Sequence, residues 1–254
     1  MAAAYEEFHA RLEELERTVN FTAASASLRP RLGDALKWEV GGEAIQLAVS
    51  FMSAKVTVED IYAALLVRAV ASFEHFARVL VEEAARHTAA SGKSYAELGE
   101  HVNVRHTVLT GRLLSALEEL PEYQTIDVEQ IVNNLASCIS GRSGFRLNTS
   151  AFSAVVTSPK PGVIERALAN LGISGWWDAV GNATNLQLLL GTKRSRDTSK
   201  AASKRLEDLC KRRNKIAHTG DGDVPVTESE LRQEIQFVRA LGEALSREVA
   251  TRFS

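Results

Sequence analysis

The sequence predicts an all-α fold, and three observations predict it. Apolar residues recur at helical spacing along several long stretches, while the two-residue alternation of a strand is weak throughout. The stretch from Thr57 to His87 is apolar around most of its circumference, the pattern of a central helix packed by several neighbours. Capping residues, glycines and prolines fall where such helices would begin and end.

Taken in order, Phe8, Leu12, Leu15 and Val19 mark a charged amphipathic helix over residues 5–19. Residues 22–35 lose that periodicity and contain Pro30 and Gly33, which predicts a loop. Gly41 and Gly42 lie between two apolar runs, so a short hairpin is expected over residues 38–52. The central helix follows, capped by Thr57 with Glu59 and Asp60 at its positive end. Its apolar positions include Ile61, Leu65, Leu66, Val70, Phe73, Phe76, Ala77 and Leu80, and its narrow polar side holds Glu74 and Arg78, four apart. Further helices are expected near residues 94–118, 127–139, 161–171 and 177–189, punctuated by Pro121, Gly141, Gly144, Pro159, Pro161 and Gly175. Residues 191–203 read as a basic connector, followed by a helix that runs to His218. The last helix opens on Thr227 and Glu230, the spacing of a capping box. Leu231, Ile235, Val238, Leu241, Leu245 and Val249 form its apolar stripe. The organisation this suggests is residues 1–56, a helix and an irregular segment, packed on a main helical domain over residues 57–254.

Length and composition narrow the function classes. A chain of 254 residues with 45% hydrophobic and 24% charged residues can bury a sizeable core. The net charge of −2 means that affinity for nucleic acid would come from a local patch. Two cysteines, Cys138 and Cys210, form neither a disulfide framework nor a metal-type pair, and a reducing compartment is the default. The acidic N-terminal stretch lacks the layout of a signal peptide, and no run of about 18 apolar residues offers a membrane span. A cytoplasmic protein is expected. His9, His75, His87, His101 and His106 have no metal-ligand spacing, and no glycine-rich phosphate loop occurs, so neither metal nor cofactor is expected. Trp176 and Trp177 read as core or interface anchors.

The segment "CKRRNKIAHTG" carries the chemistry. At about 100° per residue, Ala202, Leu206, Leu209, Cys210, Ile216 and Ala217 share one apolar arc, and Arg213 falls in its middle. A guanidinium cannot shed its charge, so it requires an anion there, a carboxylate or a phosphate. Glu74 is one such carboxylate, although pairing of Glu74 with Arg78 is the simpler arrangement. Asn214 and His218 lie together beside the arc, four residues apart. His218 precedes the break at Gly220 and has the right chemistry for proton transfer near neutral pH. Between residues 193 and 215 stand ten lysines or arginines against three acids, the footprint of a nucleic-acid groove.

"RNKIAH", Arg213 to His218, resembles the Arg-x4-His signature of the HEPN superfamily. Its place on the penultimate helix, the segment over residues 145–173 and the long helix bearing Glu74 resemble the RiboL-PSP-HEPN subgroup, over roughly residues 55–250. The resemblance implies a HEPN-type helical bundle with inserted helices and loops. It implies a metal-independent endoribonuclease, acting as a homodimer whose facing motif helices form one composite site. Arg213 would stabilise the phosphate, His218 would move a proton, and Asn214 would orient the imidazole or bond the phosphate. RNA would be held by Lys204, Arg205, Lys211, Arg212 and Lys215. A toxin or defence effector with an antitoxin or defence-system partner fits this picture. Gly220 stands where some toxin members carry a modifiable tyrosine, which argues against that mode of neutralisation here. A non-catalytic helical module that binds RNA or protein is the other reading.

Overall fold

A computed structural model describes residues 2–35, 57–117, 127–141, 144–219 and 225–253. The described residues form helices without strands. They are α1 (Ala2–Ala35), α2 (Val58–Ala89), a 3-10 turn (Ala96–Leu98), α3 (Glu100–Ala116), α4 (Val128–Ile139) and α5 (Thr149–Ser153). Then come α6 (Pro161–Ala169), α7 (Trp176–Val180), α8 (Thr184–Leu190), α9 (Ser195–Thr219) and α10 (Glu228–Thr251).

The central position of α2 follows from its all-round apolar surface. It packs against α1, α5, α6, α9 and α10. Thr57 caps it as expected, in a reciprocal capping box with Asp60. The expected stripes of α1 and α10 are buried against it: Phe8, Leu12, Leu15 and Val19 from α1, and Leu231 through Val249 at helical spacing from α10. Phe8 stacks on Phe76 at 4.8 Å, under Gly242 of α10. A Cβ at Gly242 would sit 2.6 Å from the Phe8 ring, so the absence of a side chain lets α10 close on α1 and α2.

Several boundaries differ from expectation. α1 continues to Ala35 rather than ending before a loop over 22–35. Residues 22–27 are mostly alanine, serine and threonine, and extending an existing helix costs far less than nucleating one. The expected hairpin over 38–52 lies outside the described residues. The helix expected from residue 94 starts at Glu100, behind a 3-10 turn that Ser94 and Glu97 close by mutual hydrogen bonds. The helix expected over 177–189 is two, split at Gly181.

The basic connector over 191–203 is also revised, because Ser195 onward is the first part of α9. The cause is tertiary. Ser195 and Ser199 donate hydroxyl hydrogen bonds of 2.7 Å to the carbonyls of Asp178 and Trp177, satisfying the open end of α7. Gly181 permits this contact, since a Cβ there would collide with Ser199 Oγ and the Ser195 carbonyl.

Beyond α2, a polar hub ties α3 to α4 and the approach to α5. The Asn148 amide donates to His106 Nε2 at 2.9 Å, which leaves the proton on Nδ1, 3.2 Å from the Tyr95 hydroxyl oxygen. Tyr95 passes its own proton to the Asn103 carbonyl, and Asn148 donates to the Ile131 carbonyl. The imidazole lies flat on Phe152. Burial holds its pKa down at about 4.

Candidate functional site

Arg213 is positioned by the two helices that the sequence marks most strongly. Ala202, Leu206, Leu209 and Cys210 bury the inner side of α9, and Ile216 is half-buried behind them. That packing aims Arg213 at α2, where its side chain keeps about a quarter of its surface exposed. Ala217, expected on the same arc, is exposed at the cleft between α9 and α2.

The anion that Arg213 requires is Glu74, and Glu74 serves two arginines at once. Its Oε2 accepts from Arg213 Nη2 and its Oε1 from Arg78 Nη2, both at 3.0 Å. Arg78 is fixed further by its Nε, which donates to the Val156 carbonyl at 2.8 Å. Glu74 is thus shared between two guanidiniums. Arg213 Nε is enclosed without an acceptor. A buried donor left unpaired costs about 1–3 kcal/mol, and the exposed part of the side chain lines the cleft, where an oxyanion could reach it.

These groups line a cleft of about 250 Å³ whose other walls are Val67, Ala71, His75 and Ala217. His75 reaches it from α2 with its Nε2 3.4 Å from Glu7 of α1. Cys210 lies behind the pair, where burial pushes its thiol up to about 11 and keeps it unreactive at neutral pH. His75 and Arg78 belong to the cleft, yet sequence reasoning weighed one only as a metal ligand and the other only as an ion-pair partner. The signal was present: Glu74, His75 and Arg78 place three ionisable side chains within five positions of the central helix.

Asn214 and His218 are placed differently. Five residues of helix turn His218 about 140° from Arg213. His218 is exposed near the end of α9, with no hydrogen bond or ion pair to a described residue, and Asn214 is half-buried on the same side. Within one chain, therefore, Asn214 and His218 share a face while Arg213 occupies another.

The five basic residues associated with RNA divide by the same rotation. Arg205 faces α10, bonding Glu234 Oε2 at 3.1 Å and the Gln233 carbonyl at 3.2 Å over the Phe237 ring. Arg212 donates to the Pro225 carbonyl at 2.9 Å and lies 3.4 Å from Glu230, the capping residue of α10. Both act as braces between α9 and α10. Lys204, Lys211 and Lys215 are exposed on the outer face that also carries Arg196, Lys200 and His218. Lys211 lies 3.3 Å from Glu207 on that face. The outer face is thus a basic ridge leading toward His218, interrupted by Glu207 and Asp208, which both lie near Lys211.

The RiboL-PSP-HEPN family model matches residues 44–251. Neither a curated protein nor a solved structure gives a match. No described helix is long and apolar enough to cross a membrane.

Proposed function

The chain belongs to the RiboL-PSP-HEPN family, and on that footing we propose that it is a metal-independent endoribonuclease built on Arg213, Asn214 and His218. Family membership supports a nuclease-type, RNA-related role in general. One observation carries the finer reading. Arg213 is half-buried, lines an open cleft, and shares its carboxylate partner Glu74 with a second arginine. Such a guanidinium suits the non-bridging oxygens of a backbone phosphate, whose negative charge grows in the transition state.

In the proposed reaction the 2′-oxygen of RNA attacks the adjacent phosphorus while the bond to the 5′-oxygen breaks. The products are a 2′,3′-cyclic phosphate and a free 5′-hydroxyl. One imidazole accepts the 2′-hydroxyl proton or donates a proton to the leaving 5′-oxygen, and Asn214 orients it. Because Arg213 and His218 point about 140° apart on one helix, a phosphate reached by both is best built from two copies of α9. A homodimer with a composite site follows. Lys204, Lys211 and Lys215 guide the strand along the ridge. We place the enzyme among toxins or defence effectors controlled by a partner protein.

The Glu74 contact favours a second reading, a non-catalytic module in which Arg213 serves only as a brace. Purified protein with labelled single-stranded RNA in excess chelator separates the two. Chelator-resistant cleavage to cyclic phosphate ends, lost in Arg213→Ala and His218→Ala, supports the nuclease. Equal cleavage by those variants overturns it, as does a strict monomer in sedimentation at micromolar concentration.

A further inference from the structure

We propose that the cavity between α3, α6 and the segment leading out of α5 binds a small phosphate ester with an apolar body. The cavity measures about 560 Å³, within the roughly 300–1,000 Å³ range typical of small-molecule sites. It takes no residue from α2 or α9, so it is separate from the Arg213 cleft. Its floor is aliphatic, formed by Leu109 and Leu113 of α3 with Ala154 and Val155 opposite. Its rim carries Arg105 and Arg112, two turns apart on one face of α3, and Arg166 across from them on α6.

Among the described residues, the charge on this rim has no carboxylate partner. No acidic side chain lines the cavity among the described residues. Elsewhere in the fold, arginines such as Arg78, Arg205, Arg213, Arg232 and Arg247 each have a carboxylate within ion-pair distance. None of the three rim arginines has one among the described residues. Among the described residues only Arg166 of the three makes a hydrogen bond, from Nε to the Gly162 carbonyl of its own helix at 3.1 Å, which steadies its stem. The walls are fixed: His101 Nε2 donates to the Ala169 carbonyl at 3.0 Å and pins α3 to α6.

Three guanidiniums around one aliphatic floor select a ligand with two properties. A single carboxylate would leave most of the charge unbalanced, whereas a phosphate monoester brings nearly two negative charges and oxygens suited to bidentate pairing. Inorganic phosphate would leave the floor empty, so the ester must carry an apolar body. A nucleotide and an alkyl phosphate share this chemistry.

Calorimetry of the full chain with adenosine monophosphate, decyl phosphate or inorganic phosphate tests the site. One of the two esters should bind in a 1:1 ratio at least tenfold more tightly than inorganic phosphate, and the one that does identifies the source. The exposed double substitution Arg105→Gln/Arg112→Gln should weaken that ester at least tenfold without lowering the melting temperature. Ala154→Leu, at a half-buried floor position, should weaken the ester and spare inorganic phosphate. The proposal is overturned if neither ester binds at millimolar concentration, if inorganic phosphate binds equally well, or if the double variant binds the ester unchanged. Loss of RNA binding by the double variant, with no ester bound by the wild type, would assign the arginines to a nucleic-acid surface and overturn it as well.

Discussion

Glu74 on α2 accepts a 3.0 Å hydrogen bond from Arg213 on α9, a pair 139 residues apart in sequence, while sharing its other oxygen with Arg78. The carboxylate sits where a substrate phosphate would compete for the same guanidinium.

Replacing Glu74 by Gln therefore has two expected effects. Arg78 and Arg213 lose their common counter-charge, and the melting temperature falls by several degrees, corresponding to about 1–3 kcal/mol. Binding of single-stranded RNA becomes tighter, with a steeper dependence on salt, because one more cation is available to phosphate. Fluorescence anisotropy at several salt concentrations checks this, and weaker binding would show Glu74 to be a positioning group for RNA.

Removing the guanidinium should act mainly on the rate. Arg213→Ala is expected to slow RNA cleavage by about 10²–10³, the usual cost of losing one transition-state charge stabiliser. Arg213→Lys should restore little, because an ammonium cannot reproduce the planar fork. Cleavage rates in chelator measure both.

His218→Ala should leave the fold untouched, since the exposed side chain has no hydrogen-bond or ion-pair partner among described residues. Cleavage should drop by about 10²–10⁴ while RNA affinity stays within a few-fold. An unchanged rate would remove His218 from the chemistry.

Acid should weaken the α3–α4–α5 region through His106. Its pKa is lowered from 6.5 to about 4 in the folded chain by burial, so the native state favours neutral imidazole and the unfolded state takes up the proton first. Its contribution is fully present above pH 6.5 and is lost as pH falls from 6.5 to about 4, on the order of 3 kcal/mol in all. Denaturant titrations at pH 7.5, 5.5 and 4.5 follow the loss, and His106→Gln should flatten that part of the slope.

Gly242→Ala should destabilise by about 1–3 kcal/mol, because the new Cβ has nowhere to go but the Phe8 ring, 2.6 Å away. Thermal unfolding checks it, and a neutral result would mean that α1 shifts freely against α10.

The helical class, the central place of α2, the Thr57 cap, the Thr227–Glu230 capping box and the buried stripes of α1 and α10 were legible in the sequence because they follow from local periodicity and hydrogen bonding within a few residues. The same periodicity singled out Arg213 as a charge on an apolar arc. What sequence left open was the long-range choice. Glu74 could pair with its neighbour Arg78 or with Arg213, and only the packing of α9 on α2 allowed both. The first turns of α9 looked like a connector because their serines find their partners on α7, seventeen and twenty-two residues back. Arg205 and Arg212 looked equivalent to Lys204 and Lys211 in a run of charge, and the rotation of α9 against α10 turned the arginines into braces. Local physics wrote the elements and the motif; contacts distant in sequence decided which charges were neutralised within the fold and which were left facing the cleft and the ridge.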